Sequence, residues 1–155
     1  MAALKLKLIS NQAAKERILK HFFKGMDLQS FQQGCDSFMD NALPLMIRPG
    51  ALEEIKKLKT EGFEIVVVSA SPENWIKKWS DANGLGLIGT RLQTDNGLLT
   101  GYIDGTNNNA EEKAARIRTA FNLSDYDEIY CYGDSSGDKA MLALGTKSFY
   151  KPFRD

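Results

Sequence analysis

The stretch from residue 128 to residue 144, EIYCYGDSSGDKAMLAL, constrains the rest of the chain. Residues 129–132 form a short apolar run of the kind that makes a buried strand. Gly133 breaks the run, an acidic turn follows through Asp138, and residues 139–144 have the spacing of a helix. A strand, a turn and a helix in immediate succession fit an α/β sheet. They place Asp134 and Asp138 at the carboxyl end of a strand, where open α/β sheets bind their ligands. Two carboxylates in such a turn can reach one hard cation such as Mg²⁺, which takes oxygen ligands and keeps some of its waters. An acidic turn that complements the helix dipole accounts for the same residues.

At 155 residues the chain is one domain with room for a real core. Its 20 basic and 20 acidic residues balance to a net charge of zero, which provides neither a basic field for nucleic acid nor a polybasic membrane patch. Cys35 and Cys131 are far apart and match no zinc spacing, so both read as reduced thiols and the protein as cytoplasmic. No apolar run reaches transmembrane length. The opening MAALKLKLIS has lysines inside its apolar stretch and no cleavage-site pattern, unlike a signal peptide.

Three helices are expected before residue 63. Ser10 caps the first, over residues 13–24, with Ile18, Leu19, Phe22 and Phe23 on one side and Gly25 at its end. Asp27 caps the second, in which Leu28, Phe31, Cys35, Phe38, Met39 and Ala42 keep helical spacing. Pro49 opens the third, with Leu52, Ile55 and Leu58 inward and Gly62 past its end. His21, the only histidine, reads as a partly exposed helix residue.

At Phe63 the period changes. FEIVVV is a β-prone run of the sort found in a parallel strand covered on both faces. It stops at Ser69, Ala70, Ser71 and Pro72, where a helix is expected to begin, with Trp75 and Trp79 facing the core. Ser69 and Ser71 then sit where free N–H groups and hydroxyls favour an anion, although plain capping explains them too. Residues 87–102 read as a β-hairpin turning at Asn96-Gly97. After a polar loop, Asn109 and Glu112 have capping-box spacing for a helix whose apolar stripe is Ala114, Ile117 and Phe121. Lys113 falls in the first turn of that helix, an end already positive. It is there either as a solvated charge or to meet an anion near the sheet edge. KSFY makes a last short strand.

VVVSASP, the lysine of NNAEEKAARI and YCYGDSSGD, in that order, resemble three of the four motifs of the haloacid dehalogenase superfamily of phosphohydrolases. The phosphoserine-phosphatase-like branch is the nearest match, and the resemblance covers essentially the whole chain. It implies a Rossmann-like parallel sheet flanked by helices, with residues 1–48 as part of a helical cap and 49–155 as the core, hairpin included. It also implies Mg²⁺-dependent phosphoryl transfer from a small phosphorylated metabolite. Ser69 would hydrogen-bond the phosphoryl oxygens, with Ala70 beside it in the substrate-binding turn. Lys113 would neutralise the transferring phosphoryl group. Asp134 would ligate Mg²⁺, and Asp138 would support the metal shell or Lys113. Phosphoserine phosphatases carry GDGAND at the last motif, where this chain has Ser136-Gly137 in place of Ala-Asn.

The family's first motif, Asp-x-Asp-x-Thr after an apolar strand, holds the nucleophile, and these residues do not contain it. The one Asp-x-Asp pair, Asp125 and Asp127, precedes a strand instead of following one. The chain therefore resembles a member without its first strand, nucleophile loop and the start of its cap. On that reading it is inactive alone, and the alternative is a non-catalytic remnant that binds a phosphate or a protein. Arg17, Lys20, Lys24 and Arg48 could face an anionic substrate, though a solvated helix face explains them equally.

In relatives the first strand lies between those matching FEIVVV and EIYCY, and unpaired edges there invite association. Three outcomes are open. The flanking strands close up, a second copy covers the gap as a homo-oligomer, or residues 4–8, which alternate like a strand, fill it. The first two are expected over the third, because lysines at alternate positions suit a half-exposed strand.

Overall fold

The computed structural model describes residues 9–154. Its helices are α1 (Asn11–Phe23), α2 (Leu28–Asn41), α3 (Leu43–Met46), α4 (Pro49–Thr60), α5 (Lys77–Ala82), α6 (Glu111–Ala120) and α7 (Lys139–Leu142). Its strands are β1 (Val66–Pro72), β2 (Gly86–Thr90), β3 (Leu92–Asp95), β4 (Leu98–Ile103), β5 (Tyr130–Gly133) and β6 (Lys147–Tyr150). They form a parallel β1-β2 pair, an antiparallel β3-β4 hairpin and a parallel β5-β6 pair. The result is the expected α/β fold, a Rossmann-like arrangement with parallel strands and flanking helices.

The helix starts follow the capping chemistry. Ser10 Oγ accepts from the Ala13 N–H at 3.1 Å, and Asp27 accepts from the Ser30 N–H at 2.8 Å. Pro49 is the first residue of α4. α3, a single turn with a proline at its start, interrupts the connection that the sequence leaves irregular. Phe31, Cys35 and Met39 of α2 form a buried cluster with Leu99 of β4, and Trp75 and Trp79 pack against it as core residues. Both cysteines are buried free thiols, and burial pushes the Cys35 thiol up to about 11.

The apolar stripe of α1 is narrower than its spacing predicts. Leu19 is 3% exposed, but Ile18 and Phe22 are 58% and 63% exposed. α1 meets β4 along one line, where Gly101 lies against Lys20.

Three strand expectations need correction. β1 starts at Val66 and runs on through Ser69 to Pro72, so no helix begins at Ser71. The Ala70 carbonyl accepts from both Lys15 and Thr90, and Pro72 pairs with Thr90, which keeps this segment extended. A short 3-10 turn, Glu73–Trp75, precedes α5 instead. The hairpin begins at Leu92, not Leu87, because residues 87–90 are held beside β1 as β2. Its turn is as expected, with Asn96 and Gly97 both at positive φ. The capping box at Asn109 and Glu112 does not form. Ala110 occupies the cap position with φ 54° and donates its N–H to the Gly137 carbonyl at 3.0 Å, so the contact with the acidic turn sets this corner.

The strands flanking the expected gap do not close up: β1 and β5 belong to separate pairs. The Ile65 carbonyl accepts from Gly86 on the β2 side, so by alternation the backbone groups of Val66 and Val68 face the other way. The Ile129 and Gly133 carbonyls accept from Lys147 and Lys151, so those of Tyr130 and Tyr132 also face away from β6. Among the described residues no strand stands between these two edges, and residues 4–8 lie outside the described residues. The valines of β1 are half-buried. No described helix is long and apolar enough to cross a membrane.

Gly101 has φ +79°, and a Cβ there would lie 2.6 Å from Lys20 Cγ and 2.7 Å from its Cα. Gly101→Ala is expected to add overpacking of about 1–3 kcal/mol to a backbone penalty of about 1–2 kcal/mol. Gly97→Ala, at φ +79° in open space, should show the backbone penalty alone. Urea denaturation of both variants measures the difference, and equal midpoints would mean that α1 does not pack on β4 as described.

Candidate functional site

α6 delivers Lys113 from its first turn into the space between β1 and β5. The side chain is 8% exposed. Its Nζ donates to the Val68 carbonyl at 3.0 Å and to Asp138 Oδ1 at 2.6 Å. A lysine near a helix N-terminus opposes the helix dipole. Here a strand carbonyl and a buried carboxylate offset that cost, and Glu111 and Glu112 add acid to the same turn.

Asp138 sits at the end of the 3-10 turn Ser136–Asp138 that follows β5. Its Oδ2 accepts from the Asp134 N–H at 3.1 Å, the Ser135 N–H at 2.9 Å and the Ser135 hydroxyl at 2.7 Å. Gly133 makes room for this packing, since a Cβ there would lie 2.6 Å from Asp138 Cβ. Burial pushes the Asp138 carboxyl up, but the bonds from Lys113 and Ser135 outweigh it and hold the group below the usual carboxylate range. Asp138 is thus an anchor for Lys113 and for the turn.

Asp134 faces outward. Its Oδ2 accepts from Arg154 Nη2 at 2.9 Å, both side chains being about half exposed. Asp134, Asp138 and Lys113 line one cleft of about 360 Å³ between Val68 of β1 and Tyr132-Gly133 of β5. Arg48, Lys151 and Arg154 complete its charged lining, so four basic side chains meet two carboxylates. One wall is aromatic: the rings of Phe149 and Phe153 stack on Tyr132, with centroids 4.8 Å and 5.7 Å away.

The end of β1 is tied down by a separate polar network. Ser69 Oγ accepts from the Ser71 N–H at 3.1 Å, a local turn within β1 that caps no helix. Asn108, fully buried, donates to the Ser69 carbonyl at 2.9 Å and to the Ile88 carbonyl at 2.8 Å. Thr90, also fully buried, donates to the Ala70 carbonyl at 2.8 Å. Lys15 reaches over from α1 to the same carbonyl and to Asn107 Oδ1, at 2.5 Å each.

The structure therefore gathers Lys113, Asp134 and Asp138 on one cleft, with Ser69 and Ala70 on the strand that borders it. Asp125 ends a 3-10 turn ahead of β5, at the opposite end of that strand from Asp134. Of the four helix cations, Arg48 lines the cleft, whereas Lys20 sits over the Tyr102 ring at 3.4 Å from its centroid. Lys15, Thr90, Asn107, Asn108 and Arg154 escaped the sequence reading. Lys15 did carry a signal: it lies four residues before the buried Leu19, on the inward face of α1.

The Lys113–Asp138 pair, with side chains 8% and 9% exposed, makes a prediction about stability. Lys113→Met leaves the carboxylate buried without its cation and is expected to cost about 3 kcal/mol. Because the Asp138 pKa is depressed on folding, the pair's contribution is complete above the unfolded carboxyl value near 4 and is lost as pH falls through the folded one. Stability measured from pH 7 down to pH 3 should fall less steeply in Lys113→Met than in the parent. Parallel curves would mean that the pair is not coupled.

A sequence model of the haloacid dehalogenase-like hydrolases matches residues 1–143. Protein CicA of Caulobacter vibrioides is 35% identical over 144 residues, covering 90% of this chain and 64% of CicA. A phosphoserine phosphatase of Archaeoglobus fulgidus is 28% identical over 101 residues, covering 63% of this chain and 29% of that protein. Among solved structures, a Bordetella pertussis Tohama I protein of unknown function superposes with a TM-score of 0.82 at 22% identity, over 96% of this chain and 69% of that one. A probable phosphoserine phosphatase of Vibrio cholerae superposes with a TM-score of 0.72 at 21% identity, over 97% of this chain and 46% of that one. The structural likenesses show the fold, and the chain spans less than two thirds of the CicA length. The match of the sequence model over residues 1–143 places this chain in the haloacid dehalogenase-like hydrolase family.

Proposed function

We propose that the cleft between β1 and β5 binds the phosphoryl group of a small phosphomonoester, with Lys113 and Mg²⁺ as the cations that meet it. One observation carries this reading. Lys113 is fixed by the Val68 carbonyl of β1 and by Asp138, in the same cleft as Asp134. A fixed ammonium needs no reorganisation when an anion arrives, which is the property that stabilises spreading phosphoryl charge.

The fit to Mg²⁺ rests on donor chemistry. No group of three or more acidic, His or Cys side chains gathers among the described residues. Mg²⁺ is commonly held by one or two carboxylates together with waters and phosphate oxygens. Asp134 is such a carboxylate, at a strand end and half exposed, while Asp138 is already committed to Lys113 and Ser135. When bound, the ion supplies charge neutralisation at the phosphoryl oxygens. Arg154 holds the Asp134 carboxylate meanwhile, and an ion pair exposed on both sides contributes little and gives way easily.

A second reading, binding without hydrolysis, has its own support. Each carboxylate on the cleft has a structural partner, Asp134 with Arg154 and Asp138 with Lys113, and neither is placed as a free nucleophile. Losing a nucleophile costs on the order of a million-fold in turnover in a well-studied hydrolase.

The 155-residue chain is therefore expected to bind inorganic phosphate, more tightly with Mg²⁺, and to turn over a generic phosphomonoester negligibly. Titration calorimetry and a colorimetric phosphatase assay read the two properties. Lys113→Ala should abolish phosphate binding, and Asp134→Asn should remove its Mg²⁺ dependence. Substantial turnover abolished by Asp134→Asn would show that a nucleophile acts from outside the residues assigned here. Phosphate binding indifferent to Lys113→Ala would place the anion elsewhere.

A further inference from the structure

After β6 the chain bends back over the cleft. Lys151 takes the left-handed backbone conformation, φ 57°, and donates its N–H to the Gly133 carbonyl at 2.7 Å. That conformation is unfavourable for a residue with a Cβ, so the bond to β5 and the contacts beyond it set the bend. The Phe153 ring stacks on Tyr132, with centroids 5.7 Å apart, and a Cβ at Gly50 would lie 3.4 Å from its Cδ1. Arg48 Nη1 donates to the Phe153 carbonyl at 3.4 Å. Residues 151–154 are therefore a strap seated on the cleft, and all four line it.

The strap brings Arg154 to Asp134. The contact from Nη2 to Asp134 Oδ2 at 2.9 Å is the guanidinium's one hydrogen bond among the described residues, so most of its N–H donors are left for a second acceptor. The two partners are held unequally. Asp134 is fixed through its N–H, which donates to Asp138, whereas the Arg154 guanidinium is half exposed at the end of a flexible stem. When the pair opens, the guanidinium is the part that moves, and the strap keeps it over the cleft. A divalent cation on Asp134 would remove the attraction that holds Arg154 and repel its like charge. A guanidinium released there presents a planar fork of donors that matches phosphoryl oxygens.

We propose that Arg154 is an anion-binding residue of this cleft, masked by Asp134 until a divalent cation takes that carboxylate. The inference rests on the phosphoryl and Mg²⁺ positions assigned to Lys113 and Asp134, and adds a coupling between the two. In the free cleft the two exposed charges satisfy each other. In the loaded cleft both turn to ligands, Asp134 to the cation and Arg154 to the anion. Each ligand then strengthens the binding of the other by the same factor, as linkage requires.

Titration calorimetry on the 155-residue chain with magnesium chloride and inorganic phosphate, singly and together, tests this. Arg154→Gln removes the competitor, so Mg²⁺ alone is expected to bind roughly threefold tighter, the scale of an exposed ion pair. The same variant lacks the unmasked guanidinium. Phosphate should therefore bind about tenfold weaker with Mg²⁺ present, the loss of one charged hydrogen bond, and about threefold weaker without it. A residue that merely supported Asp134 would weaken Mg²⁺ binding on removal, the opposite sign. Arg154→Lys keeps a charge and should bind phosphate with an affinity between those of the parent and the glutamine variant. In the parent, the Arg154 Nε–H resonance should shift with magnesium chloride and again when phosphate is added, a readout that needs no variant to fold. Mg²⁺ affinity unchanged or lowered by Arg154→Gln, phosphate affinity in Mg²⁺ unchanged by it, or a resonance indifferent to phosphate overturns the role of Arg154 and leaves that of Lys113 standing. A parent that takes up no Mg²⁺ or no phosphate overturns the reading of the cleft and this inference with it.

Discussion

Everything near the cleft depends on one buried ammonium. Lys113 joins three elements that are distant in sequence: α6 that carries it, β1 through the Val68 carbonyl, and the turn after β5 through Asp138. β1 and β5 share no backbone ladder, so this contact is a principal polar tie between the two parallel pairs. A cation serves here because both partners are acceptors, the Val68 carbonyl and Asp138 Oδ1, while the backbone N–H groups of Asp134 and Ser135 take the other carboxylate oxygen. Its position at a helix N-terminus is unfavourable in isolation.

The acidic turn is built around Asp138 in the same way. Three donors, from Asp134 and Ser135, converge on one carboxylate oxygen while Lys113 takes the other. That arrangement fixes the backbone of Asp134 and leaves its carboxylate outside, where Arg154 meets it. Two aspartates four residues apart thus do different work because one is enclosed and the other is not. Gly133 permits the enclosure, since any side chain there would meet the Asp138 Cβ.

This division of labour was only partly legible in the sequence. Local signals carried well: Ser10, Asp27 and Pro49 open their helices as capping rules require, and Asn96-Gly97 turns the hairpin. That Lys113 lies with Asp134 and Asp138 was anticipated through the resemblance of the three motifs to one family, since the position of Lys113 alone fitted a solvated charge equally well. Long-range anchoring was not visible. The extension of β1 to Pro72 and the separation of β2 from the hairpin depend on Thr90, Lys15 and Asn108. These come from other segments, and no window around residue 70 contains them. Asn109 and Glu112 show the converse failure, since capping-box spacing was present but the contact of Ala110 with Gly137 decided the backbone.

The space between β1 and β5 follows the same accounting of polar groups. Alternation turns the backbone of Val66, Val68, Tyr130 and Tyr132 toward it, and buried backbone groups must find partners. Direct pairing of the two strands would satisfy them, but it would also close the room that Lys113 occupies and bring β1 against the aromatic stack on Tyr132. The structure satisfies the Val68 carbonyl with Lys113 and keeps the space as a cleft lined by charge. With four cations and two carboxylates around it, an anion is the complement that electrostatics favours. The Lys113 contact that lies between the two strands therefore also supplies the charge on which the proposed anion site rests.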